Sequence, residues 1–545
     1  MKSNSIILSF LFCIAWILFV SCDQGSTTII ILGDDELPTA ARIRVTDNEG
    51  KYYSPEGHSY QFSANSVDHP VAIETDVLLD LDRRFAYVED TFQFKLPLHK
   101  ELKFQVIKGF EYEFFNTTLQ GGDIPDTLLI QLKRGIDFGS DWYSGDVHVH
   151  YINPETALLE MKGEDVNVCN ILISDFTIDQ DKFRGMPEPI SEKEYVVYYN
   201  QEYREAKLGH VNFLNLKKLI EPVKPQREHQ YPLNTHASDE IHDHGGHISW
   251  AHFAAWPGLE APLGAVLNKI DAVELLCTID PFQSPIFVSD IVPELASNSG
   301  LRLWYRLLNC GLKIPLTAGT DKMNNQVTIG ANRVYTKIDG LFSYDKWIQG
   351  LNQGRTFITN SPLIRFSVDH YSIGDFVELS KSSTVKLKAE VWSQLPIDRL
   401  EFIANGNVIK QYDLSGRTLP AEFEFDYEID QSQWLAVRVY QLKAEDAKVD
   451  FDLRRDRGGG PTKFNEYFGT LRPEVCFAHT SPIYFQHKGK PILVEEDAIY
   501  YVKYLKNAKE WLQKEGSFPN AEAREEVLET FQMAINKFNE LSFAR

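Results

Sequence analysis

Hydrophobic and polar residues alternate with a period of two through the first part of the chain. Ile43 and Val45 show the alternation before a turn-like segment, and Phe92 and Phe94 repeat it further along. Successive side chains of a strand point to opposite faces of a sheet, so the pattern predicts half-buried strands. We therefore expect an N-terminal antiparallel β-sandwich over residues 23–141 that packs against a neighbouring domain.

The pattern changes after residue 141. Short apolar runs now alternate with longer segments in which apolar residues recur at helical spacing, as they do from Leu301 to Leu308. Such alternation is typical of parallel strands that are connected by crossover helices. The sequence therefore predicts an α/β domain over residues 142–372.

A period of two returns in the last third of the chain. Asn405 and Gly406 lie between apolar flanks, which is the strongest short-range signal for a hairpin. We expect a second β-sandwich over residues 373–490. Residues 491–545 carry two apolar stripes at helical spacing, which predict two antiparallel helices packed on the preceding sheet.

Chain length indicates how many structural units to expect, and net charge indicates which partners to exclude. The chain has 545 residues, more than one hydrophobic core usually supports, so several structural units are expected. Its formal net charge of -22 would repel a phosphate-rich polymer. We therefore expect no nucleic acid as substrate or partner.

The N-terminus has the features of an export signal. A short polar start is followed by an apolar run from Ile6 to Val20, and Ser21 then precedes Cys22. This order predicts a bacterial lipoprotein signal peptide over residues 1–22, with a lipid anchor to the membrane at Cys22. An uncleaved anchor and a plain signal peptide are the alternatives. The expected location is the bacterial cell envelope, on its periplasmic or its external face, and the oligomeric state stays open.

Two histidines and an aspartate occupy alternate positions of one apolar segment, at Asp146, His148 and His150. A strand places alternate side chains on one face, so these three project into the same space. An isolated pair of this kind is as often structural as metal-binding. Imidazole and carboxylate groups together suit zinc, iron or manganese. Further candidate ligands, each at or just after a short apolar run, are Glu202, His210, His252 and Asp321.

The segment 142–150, which contains this motif, resembles the opening motif of the PHP (polymerase and histidinol phosphatase) superfamily, in its branch of CehA/McbA-like metallohydrolases. The resemblance extends to about Pro362. It implies a distorted (β/α)7 barrel, and hence a multidomain α/β plus β fold in which two β-sandwich domains flank the barrel and a helical pair follows. The other segments similar to this branch are 272–275, 304–311, 317–321 and 354–362.

The resemblance also implies a pair of adjacent sites for divalent zinc, manganese or iron. Two such ions could hold a bridging hydroxide as nucleophile and stabilise the charge that develops during hydrolysis. The ligands carried over are His148, His150 and Asp321 for one ion, His210 and His252 for the other, and Glu202 as the bridge.

Two positions depart from the family pattern. Phe176 and Met323 stand where PHP proteins commonly have histidines. Phenylalanine cannot ligate a metal, and a thioether is a poor partner for hard or borderline ions. In three-metal relatives both positions would serve an additional ion. The resemblance therefore implies a binuclear centre in this chain.

Four other polar residues are candidates for supporting roles. Asp146 and Asp175 are candidates to orient ligating imidazoles through the second ring nitrogen, although each could instead cap a turn. His247 could donate a proton to a leaving group, or belong to a solvated histidine-rich loop. Arg333 could bind an anionic substrate, or form an ordinary surface ion pair.

Two classes of function follow. The first is an exported metal-dependent hydrolase, in which Glu202 and Asp321 serve the reaction as well as the metal, acting on a small-molecule or glycan-linked phosphoester, carboxylic ester, carbamate or amide. PHP relatives cleave phosphoesters, and the branch resembled here includes enzymes that hydrolyse carbamate or amide bonds. The second is a non-catalytic binding lipoprotein with a degenerate PHP site. Phe176 and Met323 favour the second class, and the complete ligand set favours the first.

Overall fold

The computed structural model shows a mixed α/β protein of several domains with large sheets and few helices. Cys22 and Phe176 lie outside the described residues, so the lipid anchor stays a prediction. Within the described part, no helix combines the length and the apolar character needed to cross a membrane. The described ranges are 24–57, 76–78, 84–175, 179–223, 229–277, 281–282, 284–285, 287–323, 327–442 and 476–543.

Strands dominate the first domain. They are β1 (Gln24–Leu32), β2 (Ala41–Asp47), β3 (Tyr52–Tyr53), β4 (Asp76–Leu78), β5 (Arg84–Val88), β6 (Thr91–Pro97), β7 (Glu101–Ile107), β8 (Phe115–Gln120) and β9 (Thr127–Gln131). β6, β1 and β9 form one sheet, and the other strands form a second. Both sheets contribute to one core that includes Ile29, Ile43, Phe94 and Phe104. β1 and β9 pair in parallel, which differs from the expected antiparallel arrangement.

The second domain alternates strands and helices. Its strands are β10 (Trp142–Val149), β11 (Val168–Ile173), β12 (Val196–Glu205), β13 (Gly209–Leu214), β14 (His247–Trp250), β15 (Ala272–Leu276), β16 (Leu316–Ala318), β17 (Arg333–Lys337) and β18 (Thr356–Thr359). Its helices are α1 (Pro154–Glu164), α2 (Ser238–Asp243), α3 (Ala261–Val266), α4 (Gly300–Asn309) and α5 (Tyr344–Asn352).

Strands β10 to β16 each pair with the next strand in sequence. The pairing is parallel throughout, except that β13 runs antiparallel to both β12 and β14. A parallel bridge between Val149 and Lys322 connects β10 with the segment that follows β16. The carboxyl ends of the parallel strands therefore face one common region.

The third domain follows without a break in the hydrogen-bonded sheet, because β18 also pairs with one of its strands. These strands are β19 (Leu363–Val368), β20 (Tyr371–Ser372), β21 (Phe376–Leu379), β22 (Ser383–Ala404), β23 (Asn407–Ile429), β24 (Gln433–Tyr440), β25 (Phe477–Thr480) and β26 (Ile483–His487). Strand β19 pairs with β22 and lies in their common core. Phe357 of β18 belongs to the same core, so this core does not set a boundary, and the one expected from the change of period stays a prediction.

The predicted hairpin joins β22 and β23. Asn405 and Gly406 have φ values of 47° and 78°, and the two strands pair on either side of them. Two-residue turns of this kind require positive φ at both positions, which asparagine and glycine tolerate. The hairpin prediction is confirmed.

Two long helices, α6 (Glu495–Glu515) and α7 (Ala521–Phe543), end the described chain. They pack against each other and against α3 and α4, and their apolar side chains belong to the core of the second domain. The same core includes Trp434 and Phe477 of the preceding strands, so the expected packing on that sheet stays a prediction. Two tyrosines of α6 contribute to the contact with the second domain: the hydroxyl of Tyr501 donates to the carbonyl oxygen of Leu303 at 2.6 Å, and that of Tyr504 donates to the carbonyl of Gly258.

We expect Phe538→Ala to lower the free energy of unfolding of the second domain by about 3–5 kcal/mol, because it removes a fully buried ring and leaves a cavity. Met533 lies on the same helix but is 54% exposed, so Met533→Ala should change stability by less than about 0.5 kcal/mol. Urea unfolding followed by tryptophan fluorescence measures both. Equal shifts in the two variants would contradict the packing of α7 on this domain.

Candidate metal centre

The ends of the second-domain strands bring the six predicted ligands together. β10 carries His148, and His150 follows it directly; Glu202 lies on β12. β13 runs in the opposite direction, so His210 near its start reaches the same region, where it faces Arg204 across the strand pair. The remaining two ligands follow the carboxyl ends of β14 and β16 and are His252 and Asp321.

The first half of the cluster has the spacing of a metal site. His148 Nε2 and His150 Nε2 are 3.2 Å apart. Asp321 Oδ1 lies 3.4 Å from the first nitrogen and 3.7 Å from the second, and Glu202 Oε2 lies 3.4 Å from His150 Nε2. Ligands held at zinc-like bond lengths in a tetrahedron are about 3.4 Å apart. His148, His150 and Glu202 therefore form a group that could hold one ion, and Asp321 lies beside both imidazoles.

The second half uses the other oxygen of the same glutamate. Glu202 Oε1 lies 3.0 Å from His210 Nδ1 and 3.7 Å from His252 Nε2. The two imidazole nitrogens are 3.1 Å apart. Oε1 also lies 3.8 Å from His148 Nε2, so the Glu202 carboxylate lies between the two halves, as a bridging ligand requires.

Hydrogen bonds on the outer side determine which imidazole nitrogens carry protons. His150 Nδ1 lies 2.9 Å from the carbonyl oxygen of Leu172, which can only accept, so this nitrogen is protonated. His148 Nδ1 likewise donates to Glu274 Oε2 at 3.0 Å. In neutral rings both Nε2 atoms therefore present lone pairs to each other.

This concentration of acceptors requires a positive charge. Burial lowers the pKa of His148, but the charges of Glu274 and Asp321 outweigh it and raise that pKa to about 10. Glu202 Oε2 is buried and accepts no hydrogen bond among the described residues. A proton on His148 can neutralise part of the cluster, and a divalent cation would satisfy all of it. The residues therefore fit the metal that the sequence resemblance implies.

Glu274 is a supporting residue whose role the sequence did not reveal. Its Oε2 accepts from His148 Nδ1 and also from the backbone N–H of His252 at 2.6 Å. It thus orients one residue from each half of the cluster. Its position in the middle of β15 was visible in the sequence, but the direction of its side chain depends on how the strands curve around the cluster.

Asp146 has a different role from the one expected. Its carboxylate accepts from the backbone N–H groups of His148, Thr320 and Gly330 and from the hydroxyl of Thr320, at 2.7–3.0 Å. It holds the backbone on both sides of the cluster and does not orient an imidazole ring. Asp175 lies 4.0 Å from Arg204 Nη1, and its proposed contact with an imidazole stays a prediction.

His247 and Arg333 lie away from the cluster, which corrects their expected catalytic roles. His247 begins β14, at the end opposite His252, and its Nδ1 is hydrogen bonded to Asn352. The Arg333 side chain is fully buried, donates to the carbonyl oxygen of Glu164 and lies over the ring of Phe110. Each side chain contributes to the packing of the domain. The sequence alone does not show whether such a side chain is buried in the core or exposed to substrate.

Arg204 is a functional candidate that sequence reasoning missed. It follows Glu202 at the next position on the same face of β12, and its Nε lies 3.7 Å from Glu202 Oε2. Burial raises the pKa of Glu202, but the charge of Arg204 and the neighbouring imidazoles hold it well below its usual range. Burial, and then Arg204, lower the pKa of His210 to about 3, which leaves a neutral imidazole. The sequence did contain a signal for Arg204, because a residue two positions after Glu202 on a strand lies on the same face.

Two ligands have strained backbones. His252 and Asp321 have φ values of 33° and 48°. Such left-handed conformations cost about 1–3 kcal/mol each in residues other than glycine and concentrate at functional sites. Hydrogen bonds hold these backbone conformations. Glu274 accepts from the backbone N–H of His252, and Asp146 accepts from that of Thr320, next to Asp321.

Comparisons with known proteins do not identify a family. No protein-family model matches the chain, and no curated protein matches it. PsfC from Pseudomonas syringae PB-5123 is similar in structure with a TM-score of 0.28 at 14% identity, over 40% of this chain and 90% of that one. The lesion-specific endonuclease PfuEndoQ from Pyrococcus furiosus gives 0.23 at 12% identity, over 39% and 56%. The functional argument therefore depends on the side chains alone, which define a buried histidine and glutamate group able to bind metal.

We expect protein equilibrated with zinc or manganese to retain about two ions per chain, as a bridged pair requires. Glu202→Gln should lose both, because the amide nitrogen cannot ligate and removes one of the bridging oxygens. Elemental analysis after gel filtration measures the content. Glu194 is exposed and precedes the same strand, so Glu194→Gln serves as a matched control that keeps its metal. Full metal content in Glu202→Gln would contradict the bridging role.

Gly319→Ala tests the packing behind the cluster. A Cβ at this position would lie 2.5 Å from Glu274 Oε1 and 2.6 Å from His148 Cβ, so both groups must move. We expect metal affinity to fall about 10- to 100-fold, as with other losses of ligand-orienting contacts. Competition against a chromophoric chelator measures the affinity. Gly122→Ala, where a Cβ meets one carbonyl oxygen at 3.3 Å, is the control, and equal affinities would refute the steric argument.

Proposed function

We propose that this protein is an exported metal-dependent hydrolase of PHP type with a binuclear centre. The observation that carries the proposal is the convergence of six ligating side chains whose lone pairs face one buried volume, with Glu202 turned to both halves. Random placement of buried histidines and carboxylates would leave these groups with separate hydrogen-bond partners. The export step follows from the predicted lipoprotein signal peptide.

The strand order supports the PHP assignment. Strands β10 to β16 pair in sequence, and the bridge between Val149 and Lys322 returns the chain to β10. A closed ring of these strands is what a distorted (β/α)7 barrel requires. The ligands then occupy the end of the ring at which catalytic groups of parallel barrels gather.

The side chains of the cluster would have separate roles. His148, His150 and Asp321 would hold one cation, His210 and His252 would hold the other, and Glu202 would contribute to both. Bound divalent cations lower the pKa of coordinated water to near ~7 and stabilise negative charge on substrate oxygens. Glu274 keeps His148 in its ligating tautomer.

Exposure places the substrate on one side of the cluster. The side chains of His148 and His150 are fully buried, whereas that of Asp321 is 20% exposed. Substrate would therefore reach the cluster at its partly exposed edge, which includes Asp321 and also Arg204, whose side chain is 26% exposed.

We expect metal-loaded protein to hydrolyse at least one of para-nitrophenyl phosphate, para-nitrophenyl acetate and an aryl N-methylcarbamate. Activity should disappear with a chelator and return with zinc or manganese. Glu202→Gln should reduce kcat at least about 100-fold, because the cations that supply the chemistry are lost, while Glu194→Gln should match the wild type. Release of para-nitrophenol or the corresponding phenol measures the rate. Protein that holds its metal pair and hydrolyses none of the three would point to a binding protein.

A further inference from the structure

A buried ion pair lies next to the first half of the candidate metal centre. Lys322 follows the ligand Asp321 in the chain, and Glu160 lies on α1. Lys322 Nζ is 3.3 Å from Glu160 Oε1, and the two side chains are only 1% and 2% exposed. Removing two charges from water costs free energy that their attraction often does not return, so such a pair is weak evidence for stability alone. Its hydrogen bonds indicate a second role.

The backbone of Lys322 is connected to the strand that carries the histidine pair. Its carbonyl oxygen accepts from the backbone N–H of His150 at 2.9 Å, and Val149 forms a parallel bridge with it. One ligand of the first half, Asp321, therefore directly precedes Lys322, and another, His150, is hydrogen bonded to it. A displacement of Lys322 would change the distance between these two ligands.

The side chains of the pair fasten the segment that follows Asp321. Lys322 Nζ donates to the carbonyl oxygen of Val327 at 2.5 Å. Glu160 Oε1 also accepts from the backbone N–H of Ile329 at 2.7 Å. The pair thus connects α1 with residues at both ends of the segment 322–329.

Asp321 needs such support because its backbone is left-handed, with a φ of 48°. On the preceding side, the backbone N–H of Thr320 donates to Asp146 at 3.0 Å. On the following side, Lys322 is held by β10, by Val327 and by Glu160. The ligand is therefore fixed through both of its neighbours in the chain.

We propose that Lys322 and Glu160 form a positioning pair for the first cation, because together they set the distance between Asp321 and His150. The inference rests on the proposed binuclear centre and deepens it. The ammonium group does not ligate a cation; it acts through the backbone of its own residue. The second half of the cluster is built on other strands, since His210 lies on β13 and His252 follows β14. The two cations thus differ in their dependence on the pair.

Metal sites are sensitive to small displacements, because metal–ligand distances lie within about 0.2 Å of their ideal values. Without the ammonium group, the Val327 carbonyl oxygen loses this donor and Glu160 becomes a buried charge that has lost this partner. The segment after Asp321 is then released from α1. We expect the resulting shift to exceed the tolerance of the first cation and to leave the second cation in place.

Titration of full-length protein with zinc, in competition with a chromophoric chelator, tests the inference. We expect Lys322→Met to weaken the binding of one of the two zinc ions about 10- to 100-fold, the usual effect of losing a ligand-orienting contact. The other zinc ion should bind as in the wild type. Lys162 also lies on α1 and pairs with Glu89 and Glu192 at 2.7 and 2.6 Å. Lys162→Met is therefore the matched control and should keep both affinities.

A second variant separates positioning from folding, because removal of one partner of a buried pair can unfold a protein. The double variant Lys322→Met/Glu160→Gln removes both charges at similar side-chain volume, and the glutamine oxygen can still accept from Ile329 N–H. We expect it to unfold at nearly the wild-type temperature and still to bind one zinc ion about 10- to 100-fold more weakly. A pair with a structural role alone would leave both zinc affinities unchanged in this folded variant.

The outcomes distinguish the inference from the proposed function. Two zinc ions bound with wild-type affinity in the folded double variant would overturn the inference and leave the proposed function intact. Equal weakening of both ions would also overturn it, because the pair would then not be specific to the first cation. A wild-type protein that takes up no zinc or manganese would overturn the proposed function and the inference together.

Discussion

The arrangement of the second domain depends on one electrostatic constraint, the need to balance a group of lone pairs held away from water. His148 and His150 direct ring nitrogens toward each other because their other nitrogens are occupied by Glu274 and a backbone carbonyl. Glu202 adds two oxygens between the halves. A buried volume of this kind is costly without a cation, since unpaired acceptors lose the hydrogen bonds they would make in water.

The fold meets this constraint with rigid backbone around the cluster. Asp146 collects three backbone N–H groups and a hydroxyl, and so holds β10 against the segment after β16. His252 and Asp321 keep left-handed conformations on the same side of the domain. Helices α6 and α7 cover the outside of α3 and α4 and extend the same core. The segments that carry the ligands are thereby part of a large packed unit.

The candidate ligands could be predicted because strand alternation and apolar runs are local properties of the sequence. His148 and His150 are two positions apart at the end of one strand, and Asp321 lies three residues after the end of another. The roles of Glu274 and Arg204 could not be predicted, because they depend on which face of a curved sheet each strand turns inward. His247 and Arg333 were misassigned for the complementary reason, since burial on the far side of a strand leaves no local signature.

The same distinction between local and long-range features applies to the strands, helices and domains. Alternating periods predicted strands, helices and the hairpin at Asn405, which are determined by neighbouring residues. The sequence did not reveal that α6 packs on the second domain, because Tyr501 finds its carbonyl partner about 200 residues away. The Glu274 carboxylate also spans a long separation, since one oxygen accepts from His148 and from the backbone of His252. A substitution of Glu274 would therefore disturb both halves of the cluster together.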